Sequence, residues 1–254
     1  MLFADKSVIV TGGSRGTGAA IARAFLSEGA NVLICGRNAP EGLPEAKGRR
    51  ASFMSCDIRN ATEAAGLVSE AVSQFGRLDV LINNAGGGPP VAAADASPRL
   101  SESIIRLNLI AALNCAQAAY QAIRDTAQTG SIVSIASVSG TRPSAGSAAY
   151  GAAKAGLINL TQSLGMEWAP DVRVNAIIAG LIRTEAADDH YGGPSGIKRI
   201  EQYLPMKRMA EPEDIAEACL FLSSQSASYI SGASLEVHGG GEPLAFLSLA
   251  KTEP

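Results

Sequence analysis

The feature that most constrains this chain is the regular alternation of short β-rich apolar runs with longer amphipathic stretches. Ser7–Thr11 reads as a strand and residues 18–28 as a helix, in which Ile21 and Phe25, then Ala22 and Leu26, recur at four-residue spacing. Gly29 follows where a left-handed cap is needed. Residues 31–35 and 52–56 read as strands, and residues 62–75 as a helix ended by Gly76. Residues 78–83 form a fourth strand, continuously apolar from Val80 to Ile82, as a strand covered on both faces should be. A long helical region spans residues 100–126, followed by a strand at 131–136, a helix at 150–168 and a strand at 172–178. Glu211-Pro212 opens a helix with proline at its first position, and Ser234–Val237 reads as the last strand.

Strands separated by helices imply right-handed crossovers, and so a parallel sheet with helices on both faces. The expectation is an α/β fold: a single doubly wound domain over residues 1–254, with a parallel sheet of about seven strands. Two stretches break the rhythm. Residues 38–48 carry two prolines and two glycines, so any helix there is short. Residues 185–206 contain the loop-like Tyr191-Gly-Gly-Pro-Ser-Gly196 within a weakly helical segment and read as a substrate-loop insertion of the kind that often forms an active-site lid.

Composition narrows the function classes. Hydrophobic residues make up 46% and charged residues 18%, a globular balance. The net charge of -3 gives no electrostatic footprint for nucleic acid or anionic membrane, and Lys47, Arg49 and Arg50 read as a solvated loop. No targeting segment is expected, and the apolar run at 176–182 is far too short to span a bilayer. Cys35, Cys56, Cys115 and Cys219 are scattered in apolar stretches without a CxxC pair or a Cys/His cluster. They read as small core residues; no metal site and a reducing, cytoplasmic location are the expectations.

Between the first strand and first helix lies Thr11-Gly-Gly-Ser-Arg-Gly-Thr-Gly18. Glycines there permit a tight turn and let backbone N–H groups approach a diphosphate at the positive helix end. By itself this is a weak signal, equally a plain strand-to-helix turn; its place at the first βα turn strengthens it. The spacing is GxxxGxG, with Gly12, Gly16 and Gly18. Together with Asn83-Asn84-Ala85-Gly86 after the fourth strand and Tyr150-Gly-Ala-Ala-Lys154, it resembles the short-chain dehydrogenase/reductase family, in its 3-oxoacyl-carrier-protein-reductase-like branch. The resemblance runs from Ser7 to about Gly241 and implies a Rossmann-type domain.

The end of the second strand bears on the choice of nicotinamide cofactor. A carboxylate there would accept from the 2′-hydroxyl of NAD and repel the 2′-phosphate of NADP; an arginine does the reverse. This chain has Ile34-Cys-Gly36-Arg37 with no carboxylate, and Arg15 within the glycine loop. Either guanidinium can pair with a phosphate, so NADP(H) is expected over NAD(H), although Arg37 also reads as a solvated loop residue. The resemblance implies further contacts from Ser14, Thr17, Asn84, Ala85 and Gly86, with Asp57 and Ile58 at the adenine. After the sixth strand it implies that Gly180 allows close approach, Ile182 offers backbone polar groups and Thr184 meets the carboxamide. Ala179 departs from the usual proline, His238 from an acidic residue and Thr17 from an aliphatic one. The first of these points to a less rigid loop.

Tyr150 and Lys154, four residues apart at the start of a helix, share one face. A free tyrosine has a pKa of about 10, and bringing it to about 7 takes on the order of 4 kcal/mol of preferential phenolate stabilisation. A lysine ammonium one turn away and the positive ring of an oxidised cofactor are able to supply it. The pair alone is common and usually structural. The resemblance gives it partners: Ser137, thirteen residues before Tyr150, to hydrogen-bond the substrate oxygen, and Asn108 to join Lys154 through a water in a proton relay. Ser134 and Ser139 compete with Ser137 but lack its register. Lys154 is also implied to bind the nicotinamide ribose.

The expected activity is hydride transfer between a nicotinamide and a carbonyl carbon, interconverting a ketone or aldehyde and an alcohol. Two rivals stay open: an NAD-dependent secondary-alcohol dehydrogenase, and a non-catalytic dinucleotide sensor. The resemblance implies a homotetramer with the long helix and the Tyr150 helix at interfaces. His190 and His238 read as surface or loop residues and Trp168 as packing. Leu244, Phe246, Leu247 and Leu249 of the tail are candidates to cover a neighbouring subunit or the pocket mouth.

Overall fold

The computed structural model describes residues 1–185 and 187–243. The expectations for the His190 side chain and for the apolar residues of the tail lie outside the described residues. Seven strands form one parallel sheet: β1 (Ser7–Thr11), β2 (Asn31–Gly36), β3 (Ser52–Ser55), β4 (Val80–Asn83), β5 (Gly130–Ser137), β6 (Val172–Ala179) and β7 (Ser234–Val237). Their order is β3-β2-β1-β4-β5-β6-β7. The direction of winding reverses between β1 and β4, which opens a crevice beyond the carboxyl ends of those two strands.

The period-two geometry of strands explains why the apolar runs are continuous. In β1, Val8 and Val10 face the layer built by α1 (Gly16–Ser27) and α8 (Pro212–Ser223), where they pack with Phe25, Ile21 and Ile215. Ile9, between them, faces the other layer, with Leu67 of α2 (Ala61–Phe75) and with Ala119 and Ile123 of α4 (Ala111–Thr126). Val32 and Ile34 against Leu33 and Cys35 repeat the division in β2. A strand with helices on both faces has no polar side to show. All four cysteines are free and buried.

Three local outcomes refine or correct the sequence-based expectation. Residues 38–48 form no helix; instead Glu45–Ala46 pairs antiparallel with Arg49–Arg50. Lys47 at φ 49° and Gly48 at φ 74° make the left-handed two-residue turn that hairpins favour, so this basic cluster sits in a hairpin and not a loop. The long helix is broken into α3 (Pro98–Ile105), a π turn at Arg106–Ile110, and α4. Asn108 causes the break: its amide nitrogen donates to the Ile104 carbonyl at 2.9 Å, the acceptor a helical backbone N–H would have used. The Ala111 N–H then reaches back five residues to the Arg106 carbonyl. Thirdly, the 185–206 segment, expected to be weakly helical around a loop, is largely helical, with α6 (Ala187–Tyr191) and α7 (Gly193–Tyr203). Gly192 and Gly193, at φ 77° and 71°, only turn the chain between them.

Beneath that pair lies a small apolar cluster of Ala187, Ile197, Leu204 and Met209, against which Tyr191 packs. Among the described residues no helix is long and apolar enough to cross a membrane.

Candidate active site

A cleft of about 1130 Å³ opens at the crevice between β1 and β4. It is lined by Gly12, Ser14, Arg15, Gly16, Thr17, Gly18, Arg37, Asn84, Ala85, Gly86, Ser137, Tyr150, Lys154, Gly180, Ile182 and Thr184. An adjoining cavity of about 390 Å³ shares Gly12, Arg37 and Ala85 with it and adds Asp57 and Ile58. Sixteen residues singled out from the sequence therefore line the cleft and two the cavity beside it. Asn108, by contrast, lines neither.

The cradle is a backbone surface that side chains would fill. Gly12 takes φ 63°, and a Cβ on Gly18 would stand 2.2 Å from the Gly12 carbonyl oxygen and 2.5 Å from the Asn84 amide. Thr11 ties this turn to β4: its hydroxyl accepts from the Asn84 and Ala85 N–H groups, each at 3.0 Å, and donates to the Ile82 carbonyl at 3.3 Å. The Asn84 amide donates to the Thr11 carbonyl at 2.9 Å. Thr11 was not singled out from sequence; its position as the last residue of a fully buried strand is the signal that could have found it. A close-packed glycine surface with free N–H groups at a helix start suits an extended diphosphate.

At the far end, Arg59 binds Asp57 in a bidentate pair through the Nε–Nη2 edge of its guanidinium, with Nε 2.8 Å from Oδ1. That pairing holds the Asp57 carboxyl below the usual carboxylate range. Arg59, which lines the adjoining cavity with Arg37, was missed because nothing in the glycine motif points to it. Among the described residues, neither Arg15 nor Arg37 has a carboxylate partner.

The reacting groups meet where β5 ends and α5 (Ala148–Glu167) begins. Ser137 closes β5 and hydrogen-bonds Tyr150 on the first turn of α5. Two glycines permit the approach. A Cβ on Gly140 would stand 2.7 Å from the Lys154 carbonyl carbon, and one on Gly151 would lie 2.9 Å from the Ser139 oxygen. Burial pushes the Tyr150 phenol above its ordinary pKa, and the Ser137 hydrogen bond offsets only part of this. Without a cofactor the phenol is therefore held protonated, and Lys154 alone does not bring it towards neutrality.

Lys154 lies almost wholly buried, with Nζ donating to the Ile135 carbonyl at 2.7 Å and standing 5.6 Å from the centre of the Tyr150 ring. Its pKa is lowered to about 8 by burial. Gly86 sits between it and Asn108: a Cβ there would be 2.7 Å from Asn108 Oδ1 and 3.2 Å from Lys154 Nζ. The Asn108 side chain is fully engaged with backbone, accepting from the Gly87 N–H at 2.8 Å and donating to the Gly87 and Ile104 carbonyls. It clamps the loop after β4 against the π turn.

The loop after β6 is better held than Ala179 suggested. The strand runs through Ala179, the Gly180 N–H donates to the Val237 carbonyl at 3.0 Å, and the Arg183 N–H to the Ala210 carbonyl at 2.8 Å. Gly180 is required by packing as well, since a Cβ would meet His238 Cα at 2.8 Å. His238 itself pairs with Glu236 at 3.0 Å. From α6, Tyr191 lies close enough to Tyr150 and Glu242 that both add to burial in raising its phenol pKa. Tyr191 was placed in the lid from sequence, but its approach to Tyr150 was not foreseen.

Fold and cleft together are those of the doubly wound nucleotide-binding enzymes. Residues 12–242 match the family model described as enoyl-(acyl carrier protein) reductase. An uncharacterized oxidoreductase of Mycobacterium tuberculosis is 38% identical over 93% of this chain and 92% of its own length. The 3-oxoacyl-[acyl-carrier-protein] reductase of Chlamydia trachomatis is 36% identical, over 94% and 98%. The ligand-free structure of aldohexose dehydrogenase from Thermoplasma acidophilum superposes with a TM-score of 0.87 at 30% identity, covering 99% of this chain and 98% of that one. The chain belongs to the short-chain dehydrogenase/reductase family and is an oxidoreductase.

Proposed function

We propose that the protein reduces a ketone or aldehyde to an alcohol, or runs the reverse reaction, using NADP(H), with Tyr150 as proton donor and acceptor. The observation that carries this reading is the junction of β5 and α5, where Ser137 and Tyr150 line the same cleft and the buried Lys154 Nζ stands 5.6 Å from the centre of the Tyr150 ring. The residues fit a dinucleotide, since the turn from Gly12 to Gly18 and the Gly86 surface present backbone, and a Cβ on Gly13, Gly18 or Gly86 would stand under 3.0 Å from its neighbours. The cradle would hold the diphosphate, Arg15 and Arg37 the 2′-phosphate, Asp57 and Ile58 the adenine, and Lys154 with Gly180, Ile182 and Thr184 the nicotinamide half. When bound, the reduced nicotinamide supplies the hydride.

The remaining chemistry belongs to the chain. Ser137 Oγ donates a hydrogen bond to the substrate oxygen and polarises the carbonyl. The Tyr150 O–H gives its proton to that oxygen as negative charge grows on it. Lys154 stabilises the phenolate left behind, and its own proton is available to restore the phenol. Asn108 holds Gly87, and through it the floor beside Lys154. Support for NADP(H) comes from Arg15 and Arg37 lining the cleft, neither with a carboxylate partner among the described residues, and from the absence of a carboxylate at the end of β2.

We also read the 185–206 segment as the lid over the substrate, the protein as a homotetramer, and its setting as cytoplasmic. Exposed Ile105, Ile110 and Met166 on the long helix and α5 support the second reading. The four free, buried thiols agree with the third. NADPH consumption across a panel that includes 3-oxoacyl thioesters and aldoses, with NADH as control, tests the activity. Tyr150→Phe should abolish turnover and leave NADPH binding nearly intact; retained turnover would refute the role of Tyr150.

A further inference from the structure

The anion end of α1 already holds a carboxylate. Glu185 Oε1 accepts a hydrogen bond from the Gly16 N–H at 3.4 Å, and Oε2 lies 3.5 Å from where a Cβ on Gly16 would stand. Nothing in α1 itself supplies this charge. Arg15 at the N-cap makes no side-chain cap, and the first turn has no acidic residue. The free N–H groups and positive dipole end of this helix therefore take an anion from 169 residues downstream.

The placement follows from the backbone around it. The Arg183 N–H donates to the Ala210 carbonyl and the Ala210 N–H to the Leu181 carbonyl, at 2.8 and 2.9 Å, which fixes the chain leaving β6. Thr184 is thereby set against Gly16, with its methyl carbon 3.4 Å from the same virtual Cβ. Glu185 follows directly, lines the cleft beside Gly16, and is exposed, so its side chain has room to leave. The Ala187 N–H donates back to the Thr184 carbonyl, so Glu185 lies on the first turn into α6 and the lid segment.

We propose that Glu185 is an internal competitor for the cofactor diphosphate, holding the Gly16 N–H in the free protein and vacating it when the cleft fills. This rests on the reading of the cleft as a dinucleotide site and adds a regulation to it. A carboxylate and a diphosphate cannot share one helix N-terminus without mutual repulsion, so binding must displace the side chain that begins the lid. Cofactor binding and the position of the residue 185 turn are thus linked, and linkage of this kind is reciprocal.

The test is titration calorimetry on wild type, Glu185→Gln and Glu185→Ala with NADPH and ADP-ribose, and displacement of NADPH by adenosine 2′-monophosphate. Both variants should bind NADPH and ADP-ribose about two- to fivefold more tightly, the range expected for removing a charge from an exposed helix end. Adenosine 2′-monophosphate lacks the diphosphate, and its affinity should not change. Unchanged or weaker ADP-ribose binding in the variants would overturn the proposal, as would equal tightening of all three ligands. A wild type that binds neither NADPH nor ADP-ribose would overturn the dinucleotide reading beneath it, and that result needs no variant.

Discussion

Replacing Lys154 by methionine separates what burial costs this protein from what the ammonium contributes. Methionine keeps the unbranched stem and removes the charge. The pKa of Lys154 falls from 10.5 to about 8 on folding, with burial as the cause. Between those values the unfolded chain holds more protons than the folded one, so stability rises with pH across that window. Below about pH 8 both states are charged and the full penalty applies: 2.5 pKa units at 1.36 kcal/mol each is about 3 kcal/mol. By pH 10 the same expression leaves under about 1 kcal/mol.

Wild type should therefore gain about 2–3 kcal/mol relative to Lys154→Met between pH 7 and pH 10. Other titrating groups largely cancel in that difference, and the lost hydrogen bond to the Ile135 carbonyl shifts it by a nearly constant amount. The assay is urea unfolding of both proteins at half-unit pH steps. A difference that stays flat across the window would refute the argument that Lys154 is a desolvated cation.

Three further outcomes follow from the cleft. Thr11→Val keeps the shape but leaves the Ala85 N–H without its acceptor, while the Asn84 N–H keeps the Ile82 carbonyl at 3.1 Å, and should cost about 1–3 kcal/mol in chemical denaturation at pH 7; a loss under about 0.5 kcal/mol would mean that the hydroxyl staples nothing. Gly18→Ala places a methyl 2.2 Å from a backbone oxygen and should abolish dinucleotide binding while far-UV circular dichroism stays native-like. Arg37→Asp should weaken NADPH far more than NADH, and equal losses would remove the argument for cofactor preference. Sedimentation analysis should give four subunits, and a monomer would leave Met166 unexplained.

Much of the fold was legible because a doubly covered parallel strand leaves a plain mark, a short run apolar at every position. Val80-Leu-Ile82 is such a run, and each of its neighbours was found within two residues of its end. The cleft was legible for a different reason: its glycines and the Tyr150–Lys154 pair are local in sequence. What stayed hidden depends on contacts across the chain. No spacing rule joins Glu185 to Gly16 or brings Arg59 to the cavity that Gly12 and Arg37 line. The hairpin at 45–50 rests on Lys47 adopting a left-handed backbone that lysine seldom takes. Nor does any periodicity reveal that one asparagine amide will unseat a helical hydrogen bond. The raised Tyr150 pKa is likewise a property of the surrounding volume, and a four-residue spacing to a lysine carries no information about it.

The π turn at Arg106–Ile110 acts as a phase adjuster for the long helix. Each added residue turns an α-helix by about 100°, so the surplus residue decides which way everything downstream faces. Upstream of it α3 packs on α5, and downstream α4 packs on α2 and the sheet. Removing one residue from that turn would leave a smoother helix with the wrong face inward. Cys115, Ala119 and Ile123, all fully buried, would swing from the core, and the Ala112 carbonyl would lose the Asn83 amide that it now accepts from at 3.1 Å. An irregularity one residue long thus sets the rotational register of sixteen residues of helix, and couples the clamp on Gly87 to the packing of the sheet.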